Sequence, residues 1–246
     1  MDPELIALNV AVFGAAALQS ATGIGFGVIA GPVLLIALNN GSAIQISIVL
    51  NLLIAVILTP SLWRQADRQL LPRLLLGLAI GSPLGVLIFL GMDIVFLKAF
   101  AGLAVVFTLI LTIRGSSAAI QPPVKMPGIA EQTSIGVMAG IMGASLAMPG
   151  PIPAGWMLTK GFSKQTIRAT ILLMFVVAYA IALVLQLGLA GIATESIGLS
   201  IMLAPATIVG IIAGRLLGGY LTEPAFRWLL VIILASTAIM LFATLI

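Results

Sequence analysis

Ser20-Ala21-Thr22-Gly23-Ile24-Gly25-Phe26-Gly27, followed closely by Gly31-Pro32, interrupts an apolar stretch that runs from residue 5 to residue 38. That stretch is too long for one bilayer crossing, which takes about 20 apolar residues. A straight helix would not choose this cluster. Glycine opens backbone angles closed to other residues, and proline removes a donor and clashes with the preceding turn. The stretch therefore reads as two short helices around an unwound turn. Residues 133–159 repeat the pattern, with Gly143-Ala144-Ser145 and then Pro149-Gly150-Pro151-Ile152-Pro153.

The remaining chain sets these two stretches in a membrane. Of 246 residues, 61% are hydrophobic and 7% charged, with a mean hydropathy of +1.28. Soluble domains carry roughly 25% charged residues, so a soluble enzyme and a second, soluble domain are both excluded. Uninterrupted spans are predicted at 43–60, 70–90, 94–113, 168–189, 196–220 and 225–246. The longest polar stretch, Arg114 to Gln132, holds Gly115-Ser116-Ser117 and Pro122, Pro123 and Pro127, and marks a linker near the midpoint. Met1 to Glu4 is acidic where a signal peptide would be basic, so no cleavable leader is expected. The chain has no cysteine and no histidine. Disulfides, thiolate nucleophiles and the commonest metal ligand are absent, and no cofactor is implied.

Charge decides whether the interrupted stretches cross once or fold back. If both fold back, Arg64, Arg68, Arg73, Arg114, Lys125, Lys160, Lys164, Arg168 and Arg227 share one side, and Lys98 lies opposite. If both cross, the same residues divide evenly. The positive-inside rule favours two hairpins with the N-terminus outside.

An internal repeat follows. Residues 166–171 align with residues 43–48, each just after an interrupted stretch, and Gly77, Gly81 and Gly85 are echoed by Gly210, Gly214 and Gly218. Glycine at every fourth position of a membrane helix reads first as a packing device. Each half is then a hairpin plus three spans, and an odd number of spans inverts one half relative to the other. The expected fold is an all-α polytopic membrane protein, a single domain over residues 1–246. It comprises two inverted repeats of a broken-helix hairpin and three transmembrane helices, at 1–114 and 132–246, joined by a 115–131 linker. Secondary transporters use this architecture, with substrate held near the midplane.

The order of motifs resembles the sulfite exporter family of the TauE/SafE type. The resemblance rests on Thr22-Gly23-Ile24-Gly25-Phe26-Gly27 with Gly31-Pro32, on the break from Gly143 to Pro153, and on Gly161-Phe162-Ser163-Lys164-Gln165-Thr166-Ile167-Arg168-Ala169-Thr170. It covers nearly the whole chain. Met148-Pro149-Gly150-Pro151 stands where many members have a fuller Gly-Gly pair, a departure that bears on substrate. The resemblance implies export of sulfite or a small organosulfonate across the inner or plasma membrane. The alternative is a channel, or an importer of another small anion such as thiosulfate or a carboxylate.

A small oxyanion needs amides, hydroxyls or a cation in place of its hydration shell, and helix N-termini offer unpaired donors with a positive dipole end. The first turn offers Gln19, Ser20, Thr22 and the amides of Gly23, Gly25 and Gly27; the second offers Ser145 and Gly150. Ser47 and Asn51 lie one turn apart on the next span, and Thr170 is the repeat equivalent of Ser47. Arg168 opens a span, where it either snorkels or meets the anion. The expected partners are the anion, membrane lipid and a second copy of the chain, with no nucleic acid. An intramembrane enzyme would need an Asp pair, a Ser with His or a His-rich metal motif. None is present.

Overall fold

The computed structural model describes residues 3–23, 25–114, 128–217 and 223–245, and every regular element among them is helical. Ten α-helices follow in order: α1 (Pro3–Thr22), α2 (Phe26–Leu38), α3 (Ser42–Leu58), α4 (Leu70–Gly91), α5 (Ile94–Arg114), α6 (Ile129–Leu146), α7 (Pro151–Thr159), α8 (Lys164–Leu189), α9 (Thr194–Leu217) and α10 (Glu223–Ala243). Two short 3-10 turns, Thr59–Ser61 and Trp63–Gln65, follow α3. Among the described residues, six helices are long and apolar enough to cross a membrane: α1, α3, α4, α5, α8 and α9. The chain is a multi-pass membrane protein.

The interruptions are narrower than the sequence clusters. Helix α1 continues through Ser20 and Thr22 and stops where Gly23 takes φ +90°; α2 resumes after Gly25 at φ +141°. Only glycine enters such angles at little cost. Gly31-Pro32 does not break α2, which runs on through Pro32 to Leu38. Likewise Gly143, Ala144 and Ser145 stay within α6, and the turn is confined to Ala147–Gly150, after which Pro151 opens α7. The first arm of each pair is thus long, 20 residues in α1 and 18 in α6, rather than short. Most of the expected linker, residues 115–127, lies outside the described residues, as does Gly218; residues 129–131 already belong to α6. Helix α8 starts at Lys164, earlier than the sequence suggests, because the Ser163 hydroxyl accepts the Thr166 N–H as an N-cap.

Packing fixes the helix directions. Backbone positions of Gly77, Gly81 and Gly85 on α4 meet Thr133, Val137 and Ile141 on α6 in the same sequence order, so the two run parallel. Gly210 and Gly214 on α9 meet Phe13 and Ala17 on α1 in the same way. Each glycine ladder therefore holds the long arm of the other half, with backbone against backbone. Helix α3 runs antiparallel to α8: Gln45 donates to the Gly191 carbonyl at one end, and the Thr59 hydroxyl approaches Leu172 at the other. Gly27 and Gly31 face Asn51 and Ser47, so α2 runs antiparallel to α3 and back toward the end where α1 began. Trp156 of α7 and Lys160 just after it both reach Glu131 in the first turn of α6. The α6–α7 pair returns to its own starting end, opposite to that of α1–α2.

Candidate functional site

The two turns are addressed by one helix, α8. Near its start, the Arg168 guanidinium donates to the Ser20 carbonyl, and its side-chain carbons lie against Gly23 so closely that a Cβ there would collide. Farther along, the Tyr179 hydroxyl donates to the Ala147 carbonyl (3.1 Å) and the Gln186 amide donates to the Ala144 carbonyl (2.9 Å). Arg168 and Tyr179 are eleven residues apart, about 16 Å along a helix. The turns therefore overlap sideways rather than meeting end to end.

Where they overlap, the first turn of α2 lies against the second hairpin. A Cβ on Gly27 would collide with the Ala147 carbonyl oxygen, and one on Gly31 would touch Met148 Cε at 3.6 Å. Ala147 itself takes φ +58°, an unusual angle for a residue with a side chain. Its N–H bonds the Gly143 carbonyl, and the Met148 N–H bonds the Met142 carbonyl. The first of these is the bond of an αL cap, with Ala147 in the left-handed position that ends α6.

Beside this contact sit Gln19, Ser47 and Asn51, all fully buried. Gln19 Oε1 accepts the Phe26 N–H at 2.8 Å, so the side chain of α1 caps the start of α2. Asn51 Nδ2 donates to the Ser47 carbonyl at 2.9 Å and stands 3.5 Å from the Cβ position of Gly27. The Ser47 hydroxyl is 3.7 Å from the Cβ position of Gly31. Each side chain keeps one polar atom with no partner: Gln19 Nε2, Ser47 Oγ and Asn51 Oδ1. Such orphans are rare, because a buried unmade hydrogen bond costs about 1–3 kcal/mol. Three of the six among the described residues lie around one helix start, and a fourth, Arg168 Nε, belongs to the side chain packed on Gly23.

Of the residues expected at a site, the structure brings together Gln19, Gly27, Ser47 and Asn51. The Gly25 carbonyl accepts the Ile29 N–H inside α2. Ser20 and Thr22 donate to the Ile211 and Leu18 carbonyls. Ser145 donates to Ile141 within α6, and Gly150 is the N-cap of α7. Thr170 stands apart, its hydroxyl accepting the Asp67 N–H at 3.0 Å in the loop before α4. Arg168 lies in the second turn of α8, partly buried, and braces the first turn at Ser20 and Gly23. Tyr179 and Gln186 escaped the sequence reading, although each is a polar side chain set within a long apolar run, which is the signal that finds them. Among the described residues, no three Asp, Glu, His or Cys side chains gather as a metal site would require.

The match to a family model now decides the broader identity: the model described as sulfite exporter TauE/SafE matches residues 8–241. The chain belongs to the sulfite exporter TauE/SafE family. No curated protein and no solved structure matches it. The match includes both turns, all or most of every helix and the cradle of Gln19, Gly27, Ser47 and Asn51. Membership places the chain among membrane transporters rather than enzymes.

Proposed function

We propose that the chain is a secondary transporter exporting a small sulfur oxyanion, sulfite or an organosulfonate, across the inner or plasma membrane. Substrate binds at the start of α2, held by Gln19 Nε2, Ser47 Oγ, Asn51 and the helix-end dipole rather than by an ion pair. The observation that carries this reading is the set of three fully buried, unpartnered polar atoms around Gly27 in a chain of this family. A buried cation would be more expensive: Arg or Lys at the bilayer centre costs about 2.5–3.5 kcal/mol on insertion scales. Helix dipoles and neutral amides stay in place between cycles.

Residues 1–114 and 132–246 act as inverted repeats within one domain. Supporting this, α4 on α6 is answered by α9 on α1, while α3 faces α8 and α5 faces α10. Alternating access separates the α2 start from the Ala147 turn, opening the cradle first to one side and then the other. The end of the bundle that carries Arg64, Arg68, Arg73, Lys160 and Lys164 faces the cytoplasm. Both ladders are used inside the protomer, so a homodimer forms on another lipid-facing surface.

Efflux from proteoliposomes loaded with radiolabelled sulfite tests the proposal. A carrier gives saturable efflux accelerated by sulfite on the opposite side. Unsaturable flux without that acceleration would indicate a channel, and no flux would remove sulfite as substrate.

A further inference from the structure

The cradle is not made of donors alone, and the orientation of its amides is fixed. The Phe26 N–H can only donate, so Gln19 turns Oε1 toward it and leaves Nε2, a donor, free. The Ser47 carbonyl can only accept, so Asn51 turns Nδ2 toward it and leaves Oδ1, an acceptor, free. The free set is therefore one donor, Gln19 Nε2, one hydroxyl that can donate or accept, Ser47 Oγ, and one acceptor, Asn51 Oδ1. A fully deprotonated oxyanion has only lone pairs and would set one of them against Asn51 Oδ1. An anion carrying one O–H satisfies all three groups.

Resting on the transport reading above, we infer that the cradle selects a singly charged oxyanion bearing its own proton, hydrogensulfite rather than the sulfite dianion, with Asn51 Oδ1 accepting from the substrate hydroxyl. The proton then crosses with the substrate, and no carboxylate relay is needed. The described carboxylates agree with this. Glu4 lies at the far end of α1 from Gln19, fifteen residues away, and Glu195 and Asp93 lie at the starts of α9 and α5. Asp67 caps α4, and Glu131 pairs with Lys160 at 2.9 Å. The other titratable groups on helices packed around the cradle each make at least one hydrogen bond, although Arg168 Nε is left without a partner. Arg168 and Arg215 hold the Ser20 and Ile57 carbonyls, Tyr179 holds Ala147, and Lys98 holds Asn39. Lys164 stands in the first turn of α8, four residues before Arg168, and bears its own interaction there.

The test is calorimetric titration of the full-length protein in nanodiscs with sulfite, sulfate and methanesulfonate, on both sides of the second ionisation of sulfurous acid. Sulfite affinity is expected to fall about tenfold per pH unit above that ionisation, as linkage requires when only the protonated form binds. Sulfate and methanesulfonate, which carry no O–H, should bind at least about tenfold more weakly than hydrogensulfite, the scale of one unsatisfied polar group. Asn51→Leu should lose this discrimination. Sulfite affinity that stays constant through the ionisation, or methanesulfonate bound as tightly, overturns the inference and leaves the transport reading intact. Methanesulfonate keeps one charge throughout, so pH-dependent binding of it would put the proton on the protein and also overturn the inference. No anion bound at any pH would remove the transport reading, and this inference with it.

Discussion

Gly27 faces the carbonyl of Ala147 with no room for a Cβ between them, and this contact joins the first hairpin to the second beside the three unpartnered polar groups. Gly27→Ala is therefore expected to force the two apart. Overpacking of this kind costs about 1–3 kcal/mol, and sulfite binding should be lost with the contact. Gly14→Ala is the control, because nothing lies within 4 Å of a Cβ there. Thermal unfolding in detergent and sulfite binding on the same samples check both variants. Unchanged binding by Gly27→Ala would show that the contact is not needed.

Ala147 holds a left-handed angle, and the Tyr179 hydroxyl secures its carbonyl. Ala147→Gly should raise stability by up to about 1 kcal/mol by relieving that strain. Tyr179→Phe should lower it by about 0.5–1.5 kcal/mol through loss of one hydrogen bond. The melting temperatures should move in opposite directions.

Much of this was legible in the chain. Composition and span length fixed the membrane class, and the clusters around Gly23 and Pro149 located both turns. The exact ends were less legible, because Ser20 and Thr22 look like breakers yet remain helical when their hydroxyls find carbonyls in or beside their own helix, and Gly31-Pro32 lies inside α2 all the same. Ser47 and Asn51 stood out as polar residues in an apolar span. Thr170 looked equivalent to Ser47 by repeat, but its partner, the Asp67 amide, lies 103 residues away in sequence. Local pattern carries no information at that range. The roles of Tyr179 and Gln186 were hidden for the same reason.

Asn40 and Gln65 are predicted to lie on opposite sides of the membrane, with Asn40 on the side of Pro3. Helix α2 returns to the end where α1 begins, whereas the turns after α3 lie at the other end. The chain has no cysteine, so single-cysteine variants can be labelled directly. Labelling of both positions by the same impermeant reagent from one side would contradict the topology.

Gly81 and Gly214 each sit where a Cβ would strike the backbone of the opposing helix, at Val137 and Ala17. Neither backbone can yield cheaply. Gly81→Leu and Gly214→Leu should abolish the folded protomer, while Gly188→Leu, at an open position, should not. Size-exclusion chromatography of detergent extracts reads the outcome, and a monodisperse, thermally stable Gly81→Leu would count against the packing described.

The most direct measurement of the central claim is the sulfite dissociation constant of wild type against Ser47→Ala, Asn51→Ala and Arg168→Gln, each shown to be folded. An amide-and-hydroxyl cradle predicts a loss of about 0.5–1.5 kcal/mol for each of the first two, roughly 2- to 12-fold in affinity. Arg168→Gln should reduce stability, because its guanidinium braces Ser20, while leaving affinity within about twofold, half a kcal/mol or less. Wild-type affinity in Ser47→Ala and Asn51→Ala, together with abolished binding in Arg168→Gln, would contradict the cradle and place the anion on the arginine.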